Sequence, residues 1–128
     1  MADGYDPEPV PMQGEYGYYN LLADLWRAGE TFVVIEHDIV VYPGAIGAML
    51  DCDHGWCGTV YPYRAAEIAC LGCTKFSAEF IAAHPGVPAW VAAREHGWRY
   101  LDTQWAAALL PERIHEHRPA VGHERWEA

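Results

Sequence analysis

The 128-residue chain has little positive charge. It contains eight Lys and Arg residues, of which Lys75 is the only lysine, against eighteen Asp and Glu residues, so its formal charge is −10. An acidic protein repels a phosphate backbone and lacks the counterion release that drives non-specific nucleic-acid binding. We therefore expect nucleic acid not to be its main ligand.

The chain also lacks long apolar runs. No stretch reaches the roughly eighteen apolar residues of a membrane-spanning helix, and MADGYDPEPVPM at the N-terminus has neither the basic nor the apolar region of a signal peptide. We expect a cytoplasmic protein without a membrane span. A Gly-rich phosphate loop and a Ser-His-Asp order are missing too, which disfavours those two kinds of active site.

Size and composition predict one folded domain. Apolar residues make up 52% of the chain, and a chain of this length buries roughly two-thirds of its unfolded surface. Residues 1–14 are rich in Pro, Gly and acidic residues without periodicity, which predicts an extended N-terminal arm. The single domain is expected to span residues 15–128.

Local patterns predict an α/β fold. An apolar stripe from Tyr18 to Trp26 predicts a helix that Gly29 ends, and two β-branched runs, 32–35 and 39–42, predict strands. Later helices are expected after Ser77 as N-cap, from Pro88 to about residue 97, and after Asp102 as N-cap. Pro43 and Gly44 are expected either to form a turn after the second strand or to place Pro43 at the start of a short helix. Together they indicate a small mixed sheet with flanking helices.

Two carboxylates flank one histidine between the β-branched runs, in the sequence FVVIEHDIVVYPGA. In a strand, Glu36 and Asp38 would project from one face and His37 from the other. Two neighbouring buried carboxylates need a compensating cation, and oxygen ligands favour Mg²⁺ or Mn²⁺. The alternative is a solvent-facing acidic turn between two strands.

The four cysteines, Cys52, Cys57, Cys70 and Cys73, allow two interpretations. A reducing compartment makes disulfides improbable, so a C-x4-C and C-x2-C pattern points to a four-thiolate zinc site or to buried free thiols. Cys70 follows the apolar residues of IACLGC, which favours burial.

Three segments resemble glycosyltransferases of the GT-A fold. VVIEHDIVVYPGAI is similar to their aspartate-x-aspartate segment, with Glu in the first position; LGCTKFSAEFIAAHPG is similar to their acceptor-contacting segment; and WRYLDTQWAAALL is similar to their later acidic motif. The resemblance implies a Rossmann-like domain and a catalytic base at Asp102, which is otherwise explained as a helix cap. It also implies that the tail IHEHRPAVGH supplies one histidine to the metal, from among His115, His117 and His123. His115 and His117 share one face if the segment is extended, and His117 and His123 are favoured because Pro119 and Gly122 allow the loop to fold back.

The resemblance implies a truncated GT-A-like domain, because only 35 residues precede Glu36 and the usual nucleotide-binding half is missing. The expected activity is transfer of a sugar from a nucleotide-sugar donor to an unknown acceptor, with the diphosphate on Mn²⁺ or Mg²⁺. Lys75, together with Arg99 or Arg64, is a candidate for phosphate contact. A homo-oligomer or a partner subunit would complete the donor site. The alternatives are a zinc-stabilised binding module and a non-catalytic partner subunit.

Overall fold

The computed structural model describes residues 4–124 of the chain. Its helices are α1 (Gly17–Ala28), α2 (Ala45–Leu50), α3 (Ala78–Ala83), α4 (Val87–Ala92) and α5 (Leu101–Ala108). Its strands are β1 (Phe32–Ile35), β2 (Ile39–Val40), β3 (Trp56–Thr59), β4 (Tyr61–Tyr63), β5 (Ala66–Ile68), β6 (Cys73–Phe76), β7 (His115–His117) and β8 (Gly122–His123).

A four-stranded mixed sheet lies at the centre of the fold, in the order β1-β6-β3-β7. The pairs β1–β6 and β6–β3 are antiparallel, whereas β3 and β7 are parallel. Two small antiparallel pairs, β2–β8 and β4–β5, lie beside it. The predicted class, a small mixed sheet with flanking helices, is confirmed.

One face of the central sheet is covered by α1, α3, α4 and α5. Phe76 on β6 stands opposite Phe32 on β1 and Trp56 on β3, so their rings form one apolar surface. The ring of Trp26 packs against Phe76 at 5.0 Å and against Trp105 of α5 at 5.5 Å between centroids. Buried aromatic pairs of this kind dominate the core of a small domain.

The opposite face is covered by α2 and by the irregular segments around β2, β4 and β8. Here Cys57 and Cys73 of the sheet pack against Met49 of α2, all three being fully buried. Because α2 is short, much of this face is covered by loops. All four cysteines pack on this side of the sheet.

Two predicted helix ends are confirmed. Gly29 takes the left-handed conformation (φ 75°) that ends α1, and its N–H donates to the carbonyls of Leu25 and Trp26. The Ser77 side chain caps α3 by accepting the N–H of Phe80.

Three predicted helix ends are wrong. Asp102 lies in the first turn of α5, and Tyr100 occupies the N-cap position. The helix expected from Pro88 to about residue 97 spans Val87–Ala92, so it ends about five residues earlier than expected. Helix α2 follows Gly44 and does not begin at Pro43.

The segment of residues 36–38 is a turn, which corrects the strand geometry expected for it. Strand β1 ends at Ile35, and the N–H of Ile39 donates to the carbonyl of Glu36 at 3.0 Å. The i to i+3 bond bends the chain, so the alternation of a strand does not apply to Glu36 and Asp38. The turn is not solvent-facing either, because both side chains are half-buried.

Residues 5–13, within the predicted arm, form neither helix nor strand and are exposed. Residues 1–3 of that arm and residues 125–128 of the predicted domain lie outside the described residues. Within residues 4–124, no helix has both the length and the apolar character needed to cross a membrane.

Candidate metal-binding and acidic site

Asp38 and His123 form the closest acid-imidazole pair of the predicted site. Strand β8 pairs with β2 so that His123 stands opposite Ile39, the residue after Asp38. The Nε2 atom of His123 lies 3.0 Å from Oδ2 of Asp38, and its Nδ1 atom lies 2.8 Å from the carbonyl oxygen of Pro62. The side chains are only 5% and 14% exposed, so this contact is shielded from water.

The two hydrogen-bond partners of His123 constrain where its proton lies. The Pro62 carbonyl can only accept, so Nδ1 carries a proton, and in the neutral ring Nε2 presents a lone pair to the carboxylate. Either a second proton or a cation must lie between the Nε2 lone pair of His123 and the Asp38 carboxylate. A metal-binding histidine commonly donates its other ring N–H to a backbone carbonyl, as His123 does here. Within residues 4–124, no third Cys, His, Asp or Glu side chain brings a ligand atom within 4.8 Å of both Asp38 and His123.

Glu36 is the second carboxylate of the acidic triplet. Burial raises its pKa; the hydroxyl of Tyr18 lowers it, and the carboxylates of Asp102 and Asp38 raise it further. The Tyr18 hydroxyl is buried and approaches Glu36 without forming a hydrogen bond of good geometry. The structure does not bring Glu36 close enough to share one ion with Asp38 and His123.

Asp102 is held at the start of α5. Its Oδ1 atom accepts the backbone N–H of Leu71 at 3.2 Å. Burial raises the pKa of the Asp102 carboxyl, whereas the Leu71 N–H and the Cys70 thiol lower it. Burial and the neighbouring Asp102 in turn raise the pKa of Cys70 to about 12, so that thiol stays protonated. Asp102 thus organises the loop before β6, the same loop whose Gly72 carbonyl accepts the N–H of Glu36.

A cavity of about 80 Å³ lies beside Asp102. It is lined by Asp102, Cys70, Leu71, Trp56, Trp105, Ala69, Ala106 and Ile114. This volume has room for a few water molecules at most and is too small for a sugar ring. An acceptor would have to displace the covering side chains to reach the Asp102 carboxylate.

The two predicted phosphate-binding side chains have different surroundings. Lys75 is 2% exposed, and its Nζ atom donates to the carbonyls of Cys52 at 3.0 Å and His54 at 2.8 Å. Arg99 is exposed, with its guanidinium 5.2 Å from the centre of the Trp98 ring. Lys75 therefore stabilises the loop that contains Cys52 and His54. The phosphate contacts expected of Lys75 and Arg99 stay a prediction.

His117 lies apart from the Asp38–His123 pair. Within residues 4–124, one set of His, Cys, Asp or Glu side chains brings three ligand atoms within 4.8 Å of one another: Cys52, His115 and His117. Sequence reasoning placed His115 and His117 on one face but did not join them to Cys52. The only signal in the sequence for this set is the spacing of His115 and His117, which are two positions apart.

The predicted four-thiolate site is not assembled in the described part of the chain. The Cys57 thiol donates to the Met49 carbonyl at 3.6 Å, and burial raises its pKa to about 12. Cys57 and Cys73 are fully buried, and all four cysteines are free. Cys57 and Cys73 thus have the surroundings of core residues.

Comparisons of the chain with protein-family models, with curated protein sequences and with solved structures found no match. Function is therefore inferred from the geometry of the sites described above.

Proposed function

We propose that the chain is a metal-dependent glycosyltransferase with a truncated GT-A-like, Rossmann-like fold, which uses a nucleotide-sugar donor. The contact between Asp38 and His123 carries the proposal. An acid from the triplet and a histidine from the tail lie 3.0 Å apart, and the second histidine nitrogen is bound to a backbone carbonyl. These are the residues for which the sequence resemblance implies a metal site.

Asp38 and His123 would hold the ion, and Pro62 would keep the imidazole in the tautomer that presents Nε2. A divalent cation, Mn²⁺ or Mg²⁺, would neutralise negative charge on the donor diphosphate. Glu36 is held by burial beside Tyr18 and adds a second carboxylate near the site.

Asp102 is the proposed general base. Burial raises its pKa toward the operating pH, which favours proton transfer, and the N–H of Leu71 keeps the carboxylate oriented. In an inverting reaction Asp102 would take the proton of the acceptor hydroxyl. The small cavity beside it requires an opening motion before an acceptor can bind.

We propose that a second copy or a partner subunit contacts the base and the ribose of the donor. Trp98 is 58% and Tyr100 is 51% exposed, and both are large enough to contribute to such an interface.

The test is a thermal-shift screen of nucleoside diphosphates and nucleotide sugars with and without Mn²⁺. We expect at least one nucleotide to raise the melting temperature of the unmodified protein only when Mn²⁺ is present. Asp38→Asn should abolish this Mn²⁺-dependent shift, because the isosteric amide removes the charge and keeps the shape. Asp24→Asn, the same change at an exposed acid of α1, is the matched control and should leave the shift intact.

Three results would contradict the proposal: no Mn²⁺-dependent shift with any nucleotide, a shift that survives Asp38→Asn, or one that Asp24→Asn removes equally. A positive screen should be followed by hydrolysis assays of the stabilising nucleotide sugar, with Asp102→Asn as the variant. We expect Asp102→Asn to retain the thermal shift and to lose turnover.

A further inference from the structure

Cys52, His115 and His117 converge at the edge of the central sheet, apart from the proposed donor site. Cys52 lies two residues after the end of α2. His115 and His117 occupy positions i and i+2 of β7, so their side chains lie on the same face of that strand. Because β7 runs parallel to β3 with His115 opposite Cys57 and His117 opposite Thr59, both imidazoles leave the sheet on the face that α2 covers.

The spacing of the ligand atoms suits one small ion. The Cys52 Sγ atom and one nitrogen from each of His115 and His117 all lie within 4.8 Å of one another. Around a tetrahedral zinc ion, sulfur and nitrogen ligands are separated by roughly 3.3–3.7 Å, as bond lengths of about 2.3 and 2.0 Å require. Small side-chain rotations would therefore bring the three atoms to bonding distance.

The loop that carries Cys52 is already ordered around the thiol. The backbone N–H of His54 donates to Cys52 Sγ at 3.4 Å, and the His54 Nδ1 atom lies 3.6 Å from the same sulfur. The His54 ring stacks flat on the His115 ring, with centroids 3.8 Å apart and planes 1° from parallel. The buried Lys75 ammonium fixes both ends of the loop through the carbonyls of Cys52 and His54. Such outer contacts orient the ligands of metal sites.

His117 has a buried nitrogen without a partner. Its Nε2 atom is shielded from solvent and makes no hydrogen bond. Burial lowers the pKa of His117, as do the neighbouring His115, Lys75 and His54. Only a neutral imidazole offers a lone pair to a metal. A buried nitrogen without a hydrogen bond is costly to a fold, and an ion would remove that cost.

We propose that Cys52, His115 and His117 bind one Zn²⁺ ion per chain and leave its fourth position open. One thiolate and two imidazoles favour zinc over the hard cations Mg²⁺ and Mn²⁺. Zinc binding releases the thiol proton of Cys52 to solvent. An open depression of about 530 Å³ borders Cys52 and His54. The proposal is independent of the proposed transferase activity.

The test is metal titration of the chelator-treated protein. We expect Zn²⁺ to bind at one equivalent per chain in competition with a chromophoric chelator, and Mg²⁺ not to displace it. Co²⁺ as a probe should give the visible bands of a tetrahedral site together with a thiolate charge-transfer band. Cys52→Ser should remove the charge-transfer band, and His117→Ala should weaken Zn²⁺ binding more than ~10-fold.

Cys70→Ser and Asp38→Asn are the controls. Cys70 is a half-buried thiol like Cys52 but contacts Asp102, and Asp38 belongs to the proposed donor site. Both variants should bind Zn²⁺ like the unmodified protein. If Asp38→Asn removes Zn²⁺ binding and Cys52→Ser does not, the ion belongs to the donor site and the proposal is overturned.

A measurement on the unmodified protein keeps the test valid even where a variant fails to fold. The alkylation rate of each cysteine is followed by mass spectrometry with and without Zn²⁺. We expect Zn²⁺ to slow alkylation of Cys52 more than ~10-fold and to leave Cys70 unchanged. Absence of one-equivalent binding, or equal alkylation of Cys52 in both conditions, would overturn the proposal.

Discussion

Asp38 Oδ2 and His123 Nε2 are in contact at 3.0 Å although the two residues are 85 positions apart in the chain. The contact joins the turn after β1 to β8, and the second nitrogen of His123 extends it to Pro62 in β4. The imidazole of His123 thereby connects the turn after β1, strand β4 and strand β8, which are not hydrogen-bonded to one another in the central sheet.

His123→Ala should therefore destabilise the protein, because it leaves the buried Pro62 carbonyl without its donor and the Asp38 carboxylate without its partner. We expect a loss of about 1–3 kcal/mol in the free energy of unfolding, measured by urea denaturation. Asp38→Asn should cost less, since its amide N–H₂ can donate to Nε2. A larger loss for Asp38→Asn than for His123→Ala would contradict this account.

Glu36→Gln should stabilise the protein at pH 7. Burial raises the pKa of Glu36 in the folded state, so folding favours the protonated carboxyl, and the folded protein loses stability as pH rises from the unfolded pKa through the folded one. Glutamine removes that loss. We expect a gain of about 1 kcal/mol, or a melting temperature higher by roughly 3–5 °C.

The gain of Glu36→Gln should shrink as pH falls from the raised pKa of folded Glu36 toward its unfolded pKa, and it should be lost below about 4.3, where both states carry the proton. Glu79→Gln, at an exposed position of α3, is the control and should give no such pH-dependent gain. Melting curves from pH 4 to 8 decide the question. A gain that is independent of pH would show that the charge of Glu36 is not its source.

Lys75→Met should be strongly destabilising, because it removes the donor of two loop carbonyls while keeping the length of the side chain. We expect a loss of about 2–4 kcal/mol, since two acceptors in a buried region lose their hydrogen bonds. Arg99→Met removes an exposed positive charge and should change stability by less than ~0.5 kcal/mol. Similar losses for both variants in urea denaturation would contradict the loop-holding role of Lys75.

Ser77→Ala should cost about 1 kcal/mol, because the N–H of Phe80 loses its cap at the start of α3. Ser77→Asp should restore the stability, since a carboxylate accepts the same N–H and favours a helix N-terminus. Thermal unfolding of the three proteins measures both effects. A neutral Ser77→Ala would show that α3 is held by packing alone.

Local features of the sequence determined much of the secondary structure. The apolar stripe of α1, its end at Gly29 and the cap at Ser77 were predictable because each depends on residues within one or two helical turns. The mixed sheet followed from β-branched runs separated by helices. Asp102 was misplaced by two positions because an acid is favourable both at the N-cap and in the first turn.

Tertiary structure alone decided which reactive side chains meet. Asp38 reaches His123 only through the β2–β8 pairing, and Cys52 reaches His115 and His117 only because β7 joins β3 in parallel. Neither pairing can be predicted from the local sequence, since strand propensity specifies neither the partner strand nor the register. The composition thus supplied the acids, thiols and imidazoles, and long-range strand pairing brought them together as the Asp38–His123 contact and the group of Cys52, His115 and His117.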